Sequence, residues 1–191
     1  MPINSILQNL VVQDVRDIQN GVVALPDSPG IYAWFKRLEL RCTNNADFVA
    51  DIQEILSIQW LMSIDGDGEI GKYYAATLEL YPLAYKLSQS KLNIAQTLST
   101  AEKQAFSDML VEISILQSPL YVGKADNLRV RIVDGHLKHR SGFINRVSSR
   151  IDPSQMLLAY IEMNSLPDRV NELLESMITV ASMAWYVDRI G

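Results

Sequence analysis

The chain is short of several things at once. It has a single cysteine, Cys42, so an internal disulfide and a thiolate metal cluster are both excluded. Its two histidines, His136 and His139, stand three apart without a third ligand at a recognisable spacing, which leaves little basis for a histidine metal site. No apolar run approaches the ~20 residues that a bilayer-spanning helix needs, so no membrane partner is expected. The first twenty residues mix Asp14, Arg16 and Asp17 among their apolar positions, which does not fit a secretory signal, and a cytoplasmic location is the expectation. There is no internal repeat and no low-complexity tract.

What is present is ordinary in amount and uneven in placement. The 191 residues are 48% hydrophobic and 20% charged, with a net charge of -5. That composition fits a globular chain of one domain, or one domain carrying an insertion. Between Tyr121 and Arg150 lie seven basic and two acidic residues, a local +5 that leaves -10 for the rest. A basic stretch in an acidic chain fits a phosphate-facing surface. It equally fits a row of solvated arginines on helix faces.

Hydrophobic spacing predicts an amphipathic helix over 4–23 on Ile6, Leu10, Val11 and Ile18. The turn cluster Pro26-Asp27-Ser28-Pro29-Gly30 follows, then a strand over 31–35. From 38 to 118 the character becomes helical. Helices are expected over 47–62, over 74–87 with Pro82 kinking it, and over 100–116 with a cap at Ser99 to Lys103. Phe106, Met109, Leu110 and Ile113 give the last of these an apolar stripe. A second strand fits 119–122, and Asp126 or Asn127 caps a helix running to about His139. A short helix fits 142–149 and a third strand 156–163. A long amphipathic helix fits 167–186, with Val170, Leu173, Leu174, Met177, Ile178 and Ala181 on one face. Asp65-Gly66-Asp67-Gly68-Glu69 has the look of a calcium loop, but Ile70 and Ala76 stand where an EF-hand needs Gly and Glu, so a tight acidic turn is expected.

Two fragments far apart carry the strongest signal. Gly30-Ile31-Tyr32 is one; Tyr121-Val122-Gly123-Lys124-Ala125, continuing through Asn127-Leu128 to Arg131, is the other. With a third strand and Leu173-Leu174-Glu175 on a later helix, the ordered set resembles the GIY-YIG nucleases, with YVG in place of YIG. The resemblance covers about half of the chain. It implies an α+β fold, a small three-stranded antiparallel sheet flanked by helices. The nuclease-like core would be 1–37 and 119–191, with 38–118 as a helical insertion between the two half-motifs. Such an insertion is permitted because loop-closure cost grows slowly with length.

The resemblance also implies a metal-dependent endonuclease acting on DNA phosphodiester bonds, and assigns roles. Tyr121 matches the tyrosine that acts as base or positions the attacking water. At an ordinary phenol pKa of about 10, nearby cations would have to depress it. Tyr32 matches the partner tyrosine around the water or phosphate. Each taken alone is more often a strand aromatic filling a core. Lys124 matches a lysine supporting the active-site tyrosine in the excision-repair branch, and is otherwise a surface lysine. Arg131 matches the arginine that reaches the scissile phosphate as a forked cation. His136 is the candidate for the histidine or tyrosine that many members carry on this helix, although it lies one residue further from Arg131 than they do. Glu175, with Glu172 one turn earlier as fallback, matches the carboxylate that holds a single divalent ion, Mg²⁺ or Mn²⁺; alone it would be an exposed helical glutamate. Arg129, Lys138, Arg140 and Arg146 are the candidate nucleic-acid contacts. The asparagine that family members often carry after the last helix has no counterpart here. That absence and the displaced His136 keep a second reading open, a catalytically degenerate module of the same fold that binds nucleic acid or a protein. The acidic insertion would serve a protein partner or a homodimer contact.

Overall fold

Four segments pair into one antiparallel sheet. The structure, a computed structural model, describes residues 9–40, 45–58, 87–138, 141–148 and 151–163, together with Met177. The strands are β1 (Val11–Asp14), β2 (Gly30–Lys36), β3 (Tyr121–Ala125) and β4 (Met156–Glu162), ordered β1-β4-β2-β3 across the sheet. Every neighbouring pair is antiparallel. By contact density the chain divides into two compact units, Met1–Arg37 with Val111–Gly191, and Leu38–Leu110.

The fold is α+β, with four strands rather than the expected three. The helix expected over 4–23 is replaced, within the described residues, by β1 and a five-residue helix, α1 (Val15–Gln19). Helical spacing of Leu10 and Val11 misled here because Val11-Val12 is β-branched and β4 offers it an open edge. Val11 to Asp14 pair with Tyr160 to Leu157. Asp14 secures the junction: it caps α1 by accepting from the Arg16 amide at 2.9 Å and forms ion pairs with Arg16 and with Arg37, just beyond β2.

Period-two alternation sends β-strand side chains to opposite faces. On one face Tyr32, Trp34, Tyr121, Met156, Leu158 and Tyr160 pack with residues from the segments after β3. On the other, Phe35, Leu157 and Ala159 form a smaller cluster with partly buried Ala33, Val111 and Ile115. β4 is buried from Met156 through Tyr160, as a strand with partners on both edges should be. After β3 come a π-helix (Val130–Lys138), α5 (Gly142–Ser148) and a 3₁₀ turn (Pro153–Gln155). The segment expected as an α-helix to His139 is thus π-helical from Val130.

The second unit holds α2 (Asn45–Ile58), α3 (Gln89–Thr97) and, as far as Leu110, α4 (Thr100–Glu112). Phe48, Ile52, Leu40 and Ala95 form its core. α3 was not foreseen. At the start of α4 the cap is a reciprocal box: Ser99 Oγ accepts from the Glu102 amide at 3.3 Å, and Glu102 accepts from the Ser99 amide at 2.7 Å. The expected apolar stripe on this helix is not its buried face: Phe106, Met109 and Ile113 are exposed, whereas Lys103 and Ser107 are buried, Lys103 lying over the Phe48 ring. The helix ends at Glu112, and 113–116 tighten into a 3₁₀ turn. The helix expected over 74–87 (except Leu87), the acidic turn at Asp65 to Glu69, and the helix over 167–186 (except helical, exposed Met177) lie outside the described residues.

Candidate functional site

The pairing of β2 with β3 brings the two sequence fragments together. Tyr32 sits opposite Gly123, and Trp34 opposite Tyr121, so both tyrosines rise from the same face with ring centroids 6.1 Å apart. The glycines have steric reasons. A Cβ at Gly123 would lie 2.6 Å from Tyr32 Oη and 2.8 Å from Tyr121 Cε1. A Cβ at Gly30 would meet the Ile161 carbonyl oxygen at 2.6 Å and Leu128 Cδ1 at 2.7 Å. Gly123 makes room for the tyrosine pair, and Gly30 for β4 and the segment after β3.

Asn127 caps that segment, its Oδ1 accepting from the Val130 amide at 2.9 Å. The turn before β2 latches onto the same end: the Leu128 amide donates to the Ser28 carbonyl at 2.9 Å, and the Arg129 amide to that of Pro26 at 3.2 Å. Leu128 is fully buried beneath it.

The π-helix then explains the spacing of Arg131 and His136. In an α-helix, five residues carry a side chain roughly 140° around the axis, on to a different face. A π-helix closes its hydrogen bonds at i→i+5 and brings residues five apart towards the same side of the axis. Both side chains accordingly reach Tyr32. Arg131 Nε donates to Tyr32 Oη at 3.3 Å, and His136 Nε2 is hydrogen-bonded to the same oxygen at 2.6 Å. The other imidazole nitrogen, Nδ1, is hydrogen-bonded to Ser141 Oγ at 2.5 Å.

Aromatic rings enclose the imidazole. Tyr32, Tyr121, Trp34 and Phe143 all meet it at steep angles, with centroids 5.5 to 6.0 Å away. Tyr121 in turn stacks on Phe143 at 4.7 Å. His136 is 0% exposed and Tyr32 1%. Arg131 is the cluster's exposed member.

Electrostatics sets the state of the Tyr32 phenol. Burial, then the neighbouring Tyr121, push its pKa well above the usual 10, and the hydrogen bond and charge of Arg131 only partly offset this. Tyr32 is therefore a protonated hydrogen-bonding group at neutral pH. For Arg131, partial burial acts to lower the pKa, but hydrogen bonds and charge interactions with Tyr32 and Tyr121 outweigh it, and the net shift is upward.

A stability test follows from the phenol. Below pH 10, the ordinary phenol value, folded and unfolded chains both hold the Tyr32 proton. Above it only the folded chain does, so stability should fall as pH rises, by up to about 1.4 kcal/mol per pH unit from this group. Urea midpoints at about pH 9 and about pH 11 should drop more for the native chain than for Tyr32→Phe; equal drops would contradict the assignment.

Not every expected residue joins the cluster. Lys124 lies opposite Ile31, and alternation puts it on the sheet face away from Tyr121. Arg129 is engaged by Asp27 at 2.7 Å and Asp134 at 3.8 Å, and Lys138 by Asp134 at 2.8 Å. Those two cations are thus partly neutralised, although exposed pairs of this kind are worth under about 1 kcal/mol and yield to a stronger anion. Arg146 falls on α5, but its side chain, with Arg140, His139, Glu172 and Glu175, lies outside the described residues. Among the described residues no group of three or more His, Cys, Asp or Glu could hold a metal ion.

None of the family models, curated proteins or solved structures compared with the chain matches it.

Residues the sequence reading passed over complete the site. Ser141 was readable as a helix-capping serine ahead of Gly142-Phe143-Ile144, but nothing in the spacing tied it to His136. Trp34 and Phe143 carried no signal beyond their places in an expected strand and an expected short helix; both are buried core aromatics. Asp27 read only as a turn residue, and its ion pair with Arg129 joins positions about a hundred residues apart.

Proposed function

We propose that this chain is a metal-dependent endonuclease of GIY-YIG type that hydrolyses DNA phosphodiester bonds. Tyr32, Tyr121, Arg131 and His136 form its centre. The observation that carries this reading is the convergence of Arg131 and His136 on the single oxygen Tyr32 Oη, beside Tyr121.

In this reading Arg131 keeps its Nε on Tyr32 and offers its terminal amino groups to the non-bridging oxygens of a phosphate in a forked contact. That places fixed positive charge where negative charge builds up in the pentacovalent transition state. Tyr32 serves as a neutral hydrogen-bonding post that orients the guanidinium, not as a free phenolate. Tyr121 flanks the position where water or phosphate would sit. Glu175 is the residue that would hold Mg²⁺ or Mn²⁺, and the ion would supply Lewis-acid polarisation of the phosphate and a more acidic bound water. The acidic insertion would contact a protein partner or a second copy of the chain, not the phosphate backbone.

The near-complete burial of Tyr32 and His136 favours a second reading, a non-cleaving module that binds nucleic acid through Arg131 and its neighbours. Plasmid cleavage separates the two. The nuclease reading expects nicking or linearisation with Mg²⁺ or Mn²⁺, none after chelation, and loss in Glu175→Ala. DNA binding without cleavage under either metal would favour the module. Cleavage unaffected by chelation would overturn the metal dependence.

A further inference from the structure

The geometry points to a second phosphate seat, built by Asn127 and Arg129 one turn before Arg131; Asp27 fills it in the protein alone, and a DNA backbone phosphate takes Asp27's place. The proposal rests on the reading that the chain binds DNA, not on cleavage.

The seat is defined by what it holds. A single carboxylate oxygen, Asp27 Oδ1, accepts from Asn127 Nδ2 at 3.0 Å and from Arg129 Nε at 2.7 Å. The Asn127 amide is fixed in this sense because its Oδ1 takes the Val130 backbone amide at 2.9 Å. Its Nδ2 group and the Arg129 guanidinium are donors only. Their hydrogen bonds, that of Asn127 first, hold the Asp27 carboxyl below the usual carboxylate range, so the seat contains an anion at neutral pH. A phosphodiester oxygen offers the same pair of donors a charged acceptor of the same kind.

The backbone brings Asp27 to this place. The carbonyls on either side of it, of Pro26 and Ser28, accept from the Arg129 and Leu128 amides at 3.2 and 2.9 Å. This latch does not use the Asp27 side chain, so the carboxylate can leave the seat while the turn stays docked. Both ion-pair partners are open to solvent, with 61% of the Asp27 side chain and 45% of the Arg129 side chain exposed. A pair so exposed is weak enough to exchange for another anion. Asp134 stands on the other side of Arg129, 3.8 Å from Nη1, and is shared with Lys138 at 2.8 Å, so Asp27 has the closer hold.

The place of the seat argues for a nucleic-acid phosphate. The Arg131 amide donates to the Asn127 carbonyl at 3.0 Å. That bond closes one helical turn and sets the two side chains on one face, about 5.4 Å apart along the axis. The seat and Arg131 thus offer one phosphate backbone two anchors a short step apart. Asp27 is an internal stand-in for that backbone. It neutralises Arg129 until a phosphate displaces it, and it weakens DNA binding by the strength of the pair that must be broken.

The test is the binding of a short labelled DNA duplex over a range of salt, with divalent metal chelated. Asp27→Asn should bind roughly two- to fivefold tighter at low salt, the worth of one exposed ion pair. Its slope of log affinity against log salt should be steeper by about 0.9, because Arg129 then takes a phosphate without releasing an internal anion. Asp27→Ser, another residue suited to the turn, should repeat the gain. Asp126→Asn, which removes an exposed acid from the same loop, should leave the slope unchanged. Adding Arg129→Ala to Asp27→Asn should abolish the gain. Asp27 variants that bind with the native strength and slope, or a gain that survives the loss of Arg129, would overturn the seat while leaving the DNA reading in place. Binding by no form would remove the DNA reading and the seat with it.

Discussion

Arg131→Ala is expected to slow DNA cleavage by roughly a hundred- to a thousand-fold, the loss typical of removing one charge-stabilising donor from a transition state. The urea midpoint should scarcely move. The side chain is exposed, its hydrogen bond to Tyr32 is long at 3.3 Å, and substitutions at exposed positions usually stay within about 0.5 kcal/mol. Arg131→Lys should recover only part of the rate, since an ammonium supplies charge without the planar fork that engages Tyr32 and a phosphate together. A falling midpoint with an unchanged rate would instead make Arg131 a strap holding the π-helix to the sheet.

Gly123→Ala is expected to destabilise the chain by about 1–3 kcal/mol, the range for overpacking a filled site, and to abolish cleavage with it. The new methyl would lie 2.6 Å from Tyr32 Oη, 2.7 Å from Tyr32 Cζ and 2.8 Å from Tyr121 Cε1. Neither ring can step aside cheaply, because His136 holds Tyr32 and Phe143 stacks on Tyr121. Gly135→Ala on the π-helix is the control. There the nearest atoms, Arg131 Cδ and the Val130 carbonyl oxygen, are both 3.7 Å away, so the added methyl has room. Urea denaturation of the two variants checks both; equal midpoints would mean that the tyrosine pair does not need the space that Gly123 leaves.

Much of the site could be read before the fold was known. Tyr32, Tyr121 and Arg131 stand on short local patterns, Gly-Ile-Tyr and Tyr-Val-Gly followed by Asn-Leu and Arg, and local patterns survive a long insertion. The three longer strands were legible too, since Ile31 to Phe35, Tyr121-Val122 and Met156 to Met163 are apolar or β-branched runs. What failed were features set by distant partners. β1 depends on the open edge of β4 and on the Asp14–Arg37 ion pair, neither visible within residues 4–23. The displacement of His136 counted against it as a departure from the family's spacing; on the π-helix it and Arg131 both reach Tyr32. Lys124 was carried over by analogy, although strand alternation alone sends it to the face away from Tyr121. The basic run from 121 to 150 was counted without Asp27, which the fold brings back onto Arg129.

The decisive experiment is a cleavage cycle on the two side chains that share Tyr32 Oη. The rates of the native chain, Tyr32→Phe, Arg131→Ala and the double variant would be compared on one plasmid with Mg²⁺, each protein first shown folded by its thermal midpoint. Groups that act as one unit lose activity non-additively. If Tyr32 and Arg131 form a single catalytic centre, the double variant should be about as slow as the slower single one. Losses that multiply, or a Tyr32→Phe variant that cuts as fast as the native chain, would contradict it.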